Sequence, residues 1–91
     1  DALLKHDAVQ MSAVVGVPDP VRTEVIKAFI ILKDGIEGNE ALGEELREFV
    51  RGRLAKHEVP RFIEFVDSLP MTTTGKIMRR ELRNREETPN N

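Results

Sequence analysis

Two runs of β-branched and small apolar residues, AVQMSAVVGV at 8–17 and EVIKAFIILK at 24–33, stand on either side of PDPVRT at 18–23. Both have the length and composition of strands, and Pro-Asp-Pro punctuates the end of the first. A connection of six residues predicts that the two strands pair antiparallel. Everything else in the chain must pack around that ribbon.

Leu3 and Leu4 suggest a short helix over 1–6, broken at His6-Asp7. KDGIEGN is a loop relaxed by Gly35 and Gly38. From Asn39 to His57 the apolar residues Leu42, Leu46, Phe49, Val50 and Leu54 recur at intervals of three and four, which predicts one helical stripe. Asn39 suits its N-cap, and Glu40, Glu44 and Glu45 near the start with Arg51, Arg53, Lys56 and His57 near the end suit the helix dipole. Pro60 prevents continuation. RFIEFV at 61–66 reads as a third strand and residues 78–87 as a basic amphipathic helix. The order predicts an α/β (α+β) domain, a small mixed sheet of about three strands flanked by helices. It extends over 1–86, with a frayed tail at 87–91.

With 91 residues the chain has room for one modest core and none for a large cleft with its own nucleotide-binding half. Fourteen basic against sixteen acidic residues, a net charge of −2, argue against a nucleic-acid partner held by a basic surface. The absence of cysteine excludes disulfides and thiolate sites. His6 and His57 are far apart and read as surface side chains, so no metal site is expected. No run approaches ~20 apolar residues, so no membrane partner and a cytoplasmic location are expected. DALLKHDAV opens without methionine, as if cut from something longer.

The sharpest chemical signal is LPMTTTGKIMRREL at 69–82. A phosphate-cradling P-loop fails twice: its first glycine would fall on Pro70, and the residue after the lysine is Ile77, which has no hydroxyl for magnesium. The alternative is a surface loop entering a helix, with Lys76 solvated. The spacing of Pro70, Thr72, Gly75, Lys76, Arg79, Leu82 and Arg83, P-x-T-x-x-G-K-x-x-R-x-x-L-R, resembles the last core motif of the AMP-forming adenylating superfamily. That superfamily comprises acyl-CoA synthetases, adenylation domains of peptide synthetases and luciferases. AVVGVPDPVRTEVIKAFIIL and LREFVRGRLAKHEVPRFIEFVDSLP are similar to the flanking segments of short- and medium-chain acyl-CoA synthetases, in their small C-terminal domain.

The resemblance implies a ligase that joins a carboxylic acid to ATP, giving acyl-AMP, and then passes the acyl group to CoA. It implies that Lys76 is the adenylation lysine, with Gly75 and Thr74 at the acyl-adenylate, and that Arg22, Arg51, Pro60 and Arg61 form part of a CoA site. For Arg51 an ordinary helix-surface pairing with Glu48 or Glu44 stands equally well. ATP, Mg²⁺ and the carboxylic acid would be bound mainly by a large N-terminal domain absent here, so the isolated domain is expected to be inactive. Where the family carries glycine after the equivalent of Arg22, this chain has Thr23, a less permissive backbone. An adenylation domain acting on a carrier protein and a non-enzymatic interaction module remain as alternatives, the second disfavoured by net acidity and few aromatic residues.

Overall fold

A computed structural model describes residues 2–87. The hairpin is formed by β1 (Val9–Asp19) and β2 (Thr23–Leu32), antiparallel, with Ala13 opposite Phe29 and Asp19 opposite Thr23. After helix α1 (Glu40–Arg51) the chain returns as β3 (Phe62–Phe65), which pairs parallel with β2 to give the order β1-β2-β3. Helix α2 (Arg79–Glu87) follows. The mixed three-stranded sheet with flanking helices is the α/β architecture expected, and residues 88–91 of the expected frayed tail lie outside the described residues.

Strand alternation sorts the apolar side chains into two cores. Ala13, Val15 and Val17 of β1 with Val25 and Phe29 of β2 face one side, covered by Leu69 and by Leu82 of α2. Ala28 and Ile30 face the other, covered by Leu46 and Val50 of α1. The pairs Val9 with Leu32 and Met11 with Ile31 leave Gln10 as a bulge. Because side chains alternate with period two, the extra residue places Val9 on the α1 side, with Leu3 of the short 3₁₀ turn Ala2–Lys5, while Met11 lies on the α2 side.

Helix α1 begins as expected: the Asn39 side chain accepts from the Leu42 N–H at 2.8 Å. It ends at Arg51, short of His57, because Gly52 closes it and the chain turns there. The Arg53 guanidinium donates to the Phe49 carbonyl at 2.7 Å and lies 3.9 Å from the centre of the Phe49 ring, satisfying one of the helix's open carbonyls. Leu54 still reaches the core, through a turn. Lys56–Glu58 form a second 3₁₀ turn.

His6 is not the surface side chain expected. Its Nδ1 accepts the Ala8 N–H at 3.0 Å, so Nε2 carries the proton that it donates to Glu45 at 2.8 Å. With its ring edge-on to Phe49 at 4.9 Å, it ties the entering segment to α1. His57 is exposed.

Candidate functional site

Residues 70–78 make a miniature hairpin. Met71 and Ile77 bridge antiparallel, the Thr72 N–H donates to the Lys76 carbonyl at 2.8 Å, and the Gly75 N–H donates back to the Thr72 carbonyl at 3.0 Å. Met78 closes the base by donating to the Pro70 carbonyl at 2.8 Å. This is the pattern of a three-residue hairpin loop whose last residue must be left-handed, and Gly75 has φ 87°. A β-carbon at Gly75 would meet nothing, so glycine is needed for the backbone angle alone. The Thr72 hydroxyl accepts from the Lys76 N–H and lies 3.0 Å from the Thr74 hydroxyl. Loop threonines thus brace the turn on both sides of Gly75. Lys76 stands at the end, exposed and with no ion pair among the described residues. Ile77, beside it, packs into the α2-side core.

The tip of the β1–β2 hairpin is ordered differently. The Asp19 carboxylate accepts from the backbone N–H groups of Arg22 at 2.8 Å and Val21 at 3.1 Å. The Arg22 N–H bond holds its pKa below the usual carboxylate range; partial loss of water opposes this, while the Val21 N–H and the charges of Arg61 and Arg22 add to it. The stability Asp19 contributes is therefore fully present above the ordinary carboxylate pKa and is lost as pH falls through its lowered folded value. Asp19→Asn is expected to flatten that acid limb in a thermal-midpoint profile against pH; an unchanged limb would show that the carboxylate does not organise the tip.

Next along the tip, the Glu24 N–H donates to the Arg22 carbonyl at 2.7 Å, and Thr23 between them has φ 70°. This positive-φ γ-turn is strained for a β-branched residue, which is the physical reason a glycine would suit the position. Left-handed backbone costs an ordinary residue about 1–2 kcal/mol, and glycine's extra unfolded-state freedom offsets part of that. Thr23→Gly is expected to raise the thermal midpoint by a few degrees, on the scale of about 4–8 °C per kcal/mol for a domain this small. A lowered midpoint would mean that the turn is not strained.

Arg22, Arg51, Pro60 and Arg61, drawn from three separate stretches of chain, line one groove of about 460 Å³. Val59 lines it as well, and Arg47 and Lys56 add two further basic side chains. Sequence reasoning did not single out those two, although Arg47 lies four residues before Arg51 and so on the same helix face. Pro60 is buried and forms the floor, whereas Arg22, Arg51, Lys56 and Arg61 are exposed. Arg51 is paired with Glu48, as the surface alternative required. An exposed pair of this kind contributes only about 0–1 kcal/mol, less than the roughly 1.5–3 kcal/mol of a hydrogen bond to a charged group. The pairing therefore leaves Arg51 available to an anion.

The two regions are anchored on opposite faces of the sheet: the lysine hairpin on the α2 side through Ile77 and Leu69, the groove on the α1 side through the helix that carries Arg47 and Arg51. No three His, Asp or Glu side chains gather as metal ligands among the described residues. These residues do not fit a magnesium site. No helix among the described residues is long and apolar enough to cross a membrane.

A family profile described as the AMP-binding enzyme C-terminal domain matches residues 1–76, ending on Lys76. The chain belongs to that family. Among similar proteins, 4-hydroxybutyrate–CoA ligase 1 of Metallosphaera sedula is 56% identical over 86 residues, 94% of this chain and 15% of the relative. Acetyl-coenzyme A synthetase of Bacillus subtilis is 54% identical over 81 residues, 89% of this chain and 14% of the relative. The crystal structure of an acyl-CoA synthetase from Brucella canis superposes with a TM-score of 0.91 at 56% identity, covering 94% of this chain and 16% of that one. The chain thus spans about 15% of the length of the relatives it matches, and family membership locates it at their C-terminal domain.

Proposed function

We propose that this chain serves as the C-terminal domain of an AMP-forming acyl-CoA ligase, contributing Lys76 to adenylation and the α1-side groove to CoA binding. The observation that carries the proposal is the lysine itself: an exposed ammonium, with no ion pair among the described residues, on a hairpin braced by its own backbone and threonine hydroxyls. In the first half-reaction a carboxylate oxygen attacks the α-phosphorus of ATP, the bond to the β,γ-phosphates breaks, and pyrophosphate leaves. Two anions must meet. A compact cation touching the attacking oxygen and an α-phosphate oxygen offsets their repulsion and holds them in line. Magnesium, when bound with ATP, would supply further charge neutralisation from the remainder of the enzyme.

In the second half-reaction the CoA thiol attacks the acyl carbon of acyl-AMP and AMP departs. CoA brings a 3′-phosphate and a pyrophosphate, which arginines bind well. The groove offers Arg22, Arg51 and Arg61 at its rim. The lysine and the groove lie on opposite faces, so they suit two orientations of the domain used in turn, as the family resemblance implies. The acyl-binding pocket and the adenine site belong outside this chain, and the isolated domain is expected to catalyse neither half-reaction.

Replacing Arg22 or Arg51 with alanine in the full-length protein is expected to raise the KM for CoA by about 10- to 100-fold, the scale of one lost charge-assisted contact. Carboxylate-dependent pyrophosphate exchange should be unchanged. Equal loss in both assays, or an unaltered KM, would remove the CoA assignment.

A further inference from the structure

We infer that Arg47 is a positioning residue for this groove, clamping the Pro60–Arg61 corner to α1 so that Arg61 is aimed at the phosphates of CoA. The inference rests on the groove assignment above. Arg47 lies one helical turn before Arg51, and its Nη1 crosses to the start of β3, donating to the Arg61 carbonyl at 2.8 Å. Nη2 is paired with Glu44 one turn earlier, which fixes the plane of the guanidinium. The Arg61 N–H donates to the Ile26 carbonyl of β2 at 2.8 Å. An exposed residue is thus held through both its backbone groups, by the sheet on one side and by Arg47 on the other.

The side chain that does this is set against the cheaper choice. Arg47 retains only 30% of its side-chain exposure, against 56% for Arg51, and its Nε is buried with no hydrogen-bond partner among the described residues. A neutral side chain of similar length would cover the same surface without stranding a donor. What arginine alone supplies is a planar fork that reaches Glu44 and the Arg61 carbonyl together. Lysine carries its three donors on a single nitrogen, so it cannot reproduce the two spaced contacts made by Nη1 and Nη2.

The test uses the full-length protein, with CoA binding by calorimetry alongside the two half-reactions. Arg47→Ala is expected to raise both the Kd and the KM for CoA by about 10-fold, the low end for loss of one charge-assisted contact, with pyrophosphate exchange unchanged. Arg47→Lys should recover part of the loss. In an Arg61→Ala background the Arg47→Ala change should add little, because a clamp has no effect once the group it aims is gone. Additive losses would make Arg47 a direct ligand of CoA and overturn the clamp. A lowered thermal midpoint with both half-reactions falling together would reduce it to a stability role. If Arg61→Ala weakens CoA binding and Arg47→Ala does not, the clamp alone fails; if neither weakens it, the groove assignment fails as well.

Discussion

Lys76→Ala in the full-length protein should lower carboxylate-dependent pyrophosphate exchange by at least ~10²-fold, the scale for losing one preorganised electrostatic contact. Thioester formation from supplied acyl-AMP should persist, since thiol attack on a finished acyl-AMP does not bring a second anion to the phosphate. The hairpin around Lys76 is closed by groups other than its ammonium, so the substitution leaves the fold and its thermal midpoint unmoved. Lys76→Arg should also be poor, because a flat guanidinium does not occupy the space of a compact ammonium. Exchange that survives the alanine change, or both half-reactions falling together in a folded protein, would show that Lys76 is not the adenylation lysine.

Leu82→Ala should act on the fold itself. Leu82 is completely buried between α2 and the β1–β2 face, while the side chains of residues 79–81 and 83–85 are exposed. Nine residues are too few for a helix to persist alone, where about 12–15 are marginal. Arg83 Nε also donates to the Gly16 carbonyl at 3.2 Å, and within the helix Arg85 and Glu81 form an exposed pair at 3.8 Å, a modest contribution. Truncating a buried leucine costs about 2–5 kcal/mol, a large share of the roughly 5–15 kcal/mol that holds a small domain folded. The thermal midpoint should fall sharply and the α2 amides should exchange first. An unmoved midpoint would mean that α2 is held by something other than Leu82.

The hairpin strands, the cap of α1 and the order of elements were legible because each rests on local chemistry: β-branched runs, an asparagine before an apolar stripe, prolines where elements stop. The end of α1 was not, because Leu54 continues the helical spacing that a following turn happens to preserve, and nothing in the sequence marks Gly52 as the position where the helix closes. Nor was the Gln10 bulge, since its effect lies in the pairing with β2 and leaves no mark in β1's composition. At the candidate site, Lys76 and Gly75 were found through their spacing and by resemblance. Arg22, Arg51, Pro60 and Arg61 were found by resemblance alone, and only folding shows that they share a groove. Arg47 was invisible as a clamp, because its partner is a backbone carbonyl fourteen positions away, and a carbonyl carries no sequence signature.

The parallel pairing of β2 with β3 makes the two candidate regions differ in when they can exist. The lysine hairpin closes through bonds spanning a few neighbouring residues, whereas the groove needs residues 22, 47, 51 and 61 brought together across a crossover that includes all of α1. Loop closure charges its entropy before such distant contacts are rewarded, while local turns form with little delay. During folding the lysine's turn can form early, and the groove is completed only when β3 settles beside β2. In partial unfolding the order reverses, and release of β3 alone takes Pro60 and Arg61 away from Arg47 while the bonds around Gly75 remain closed.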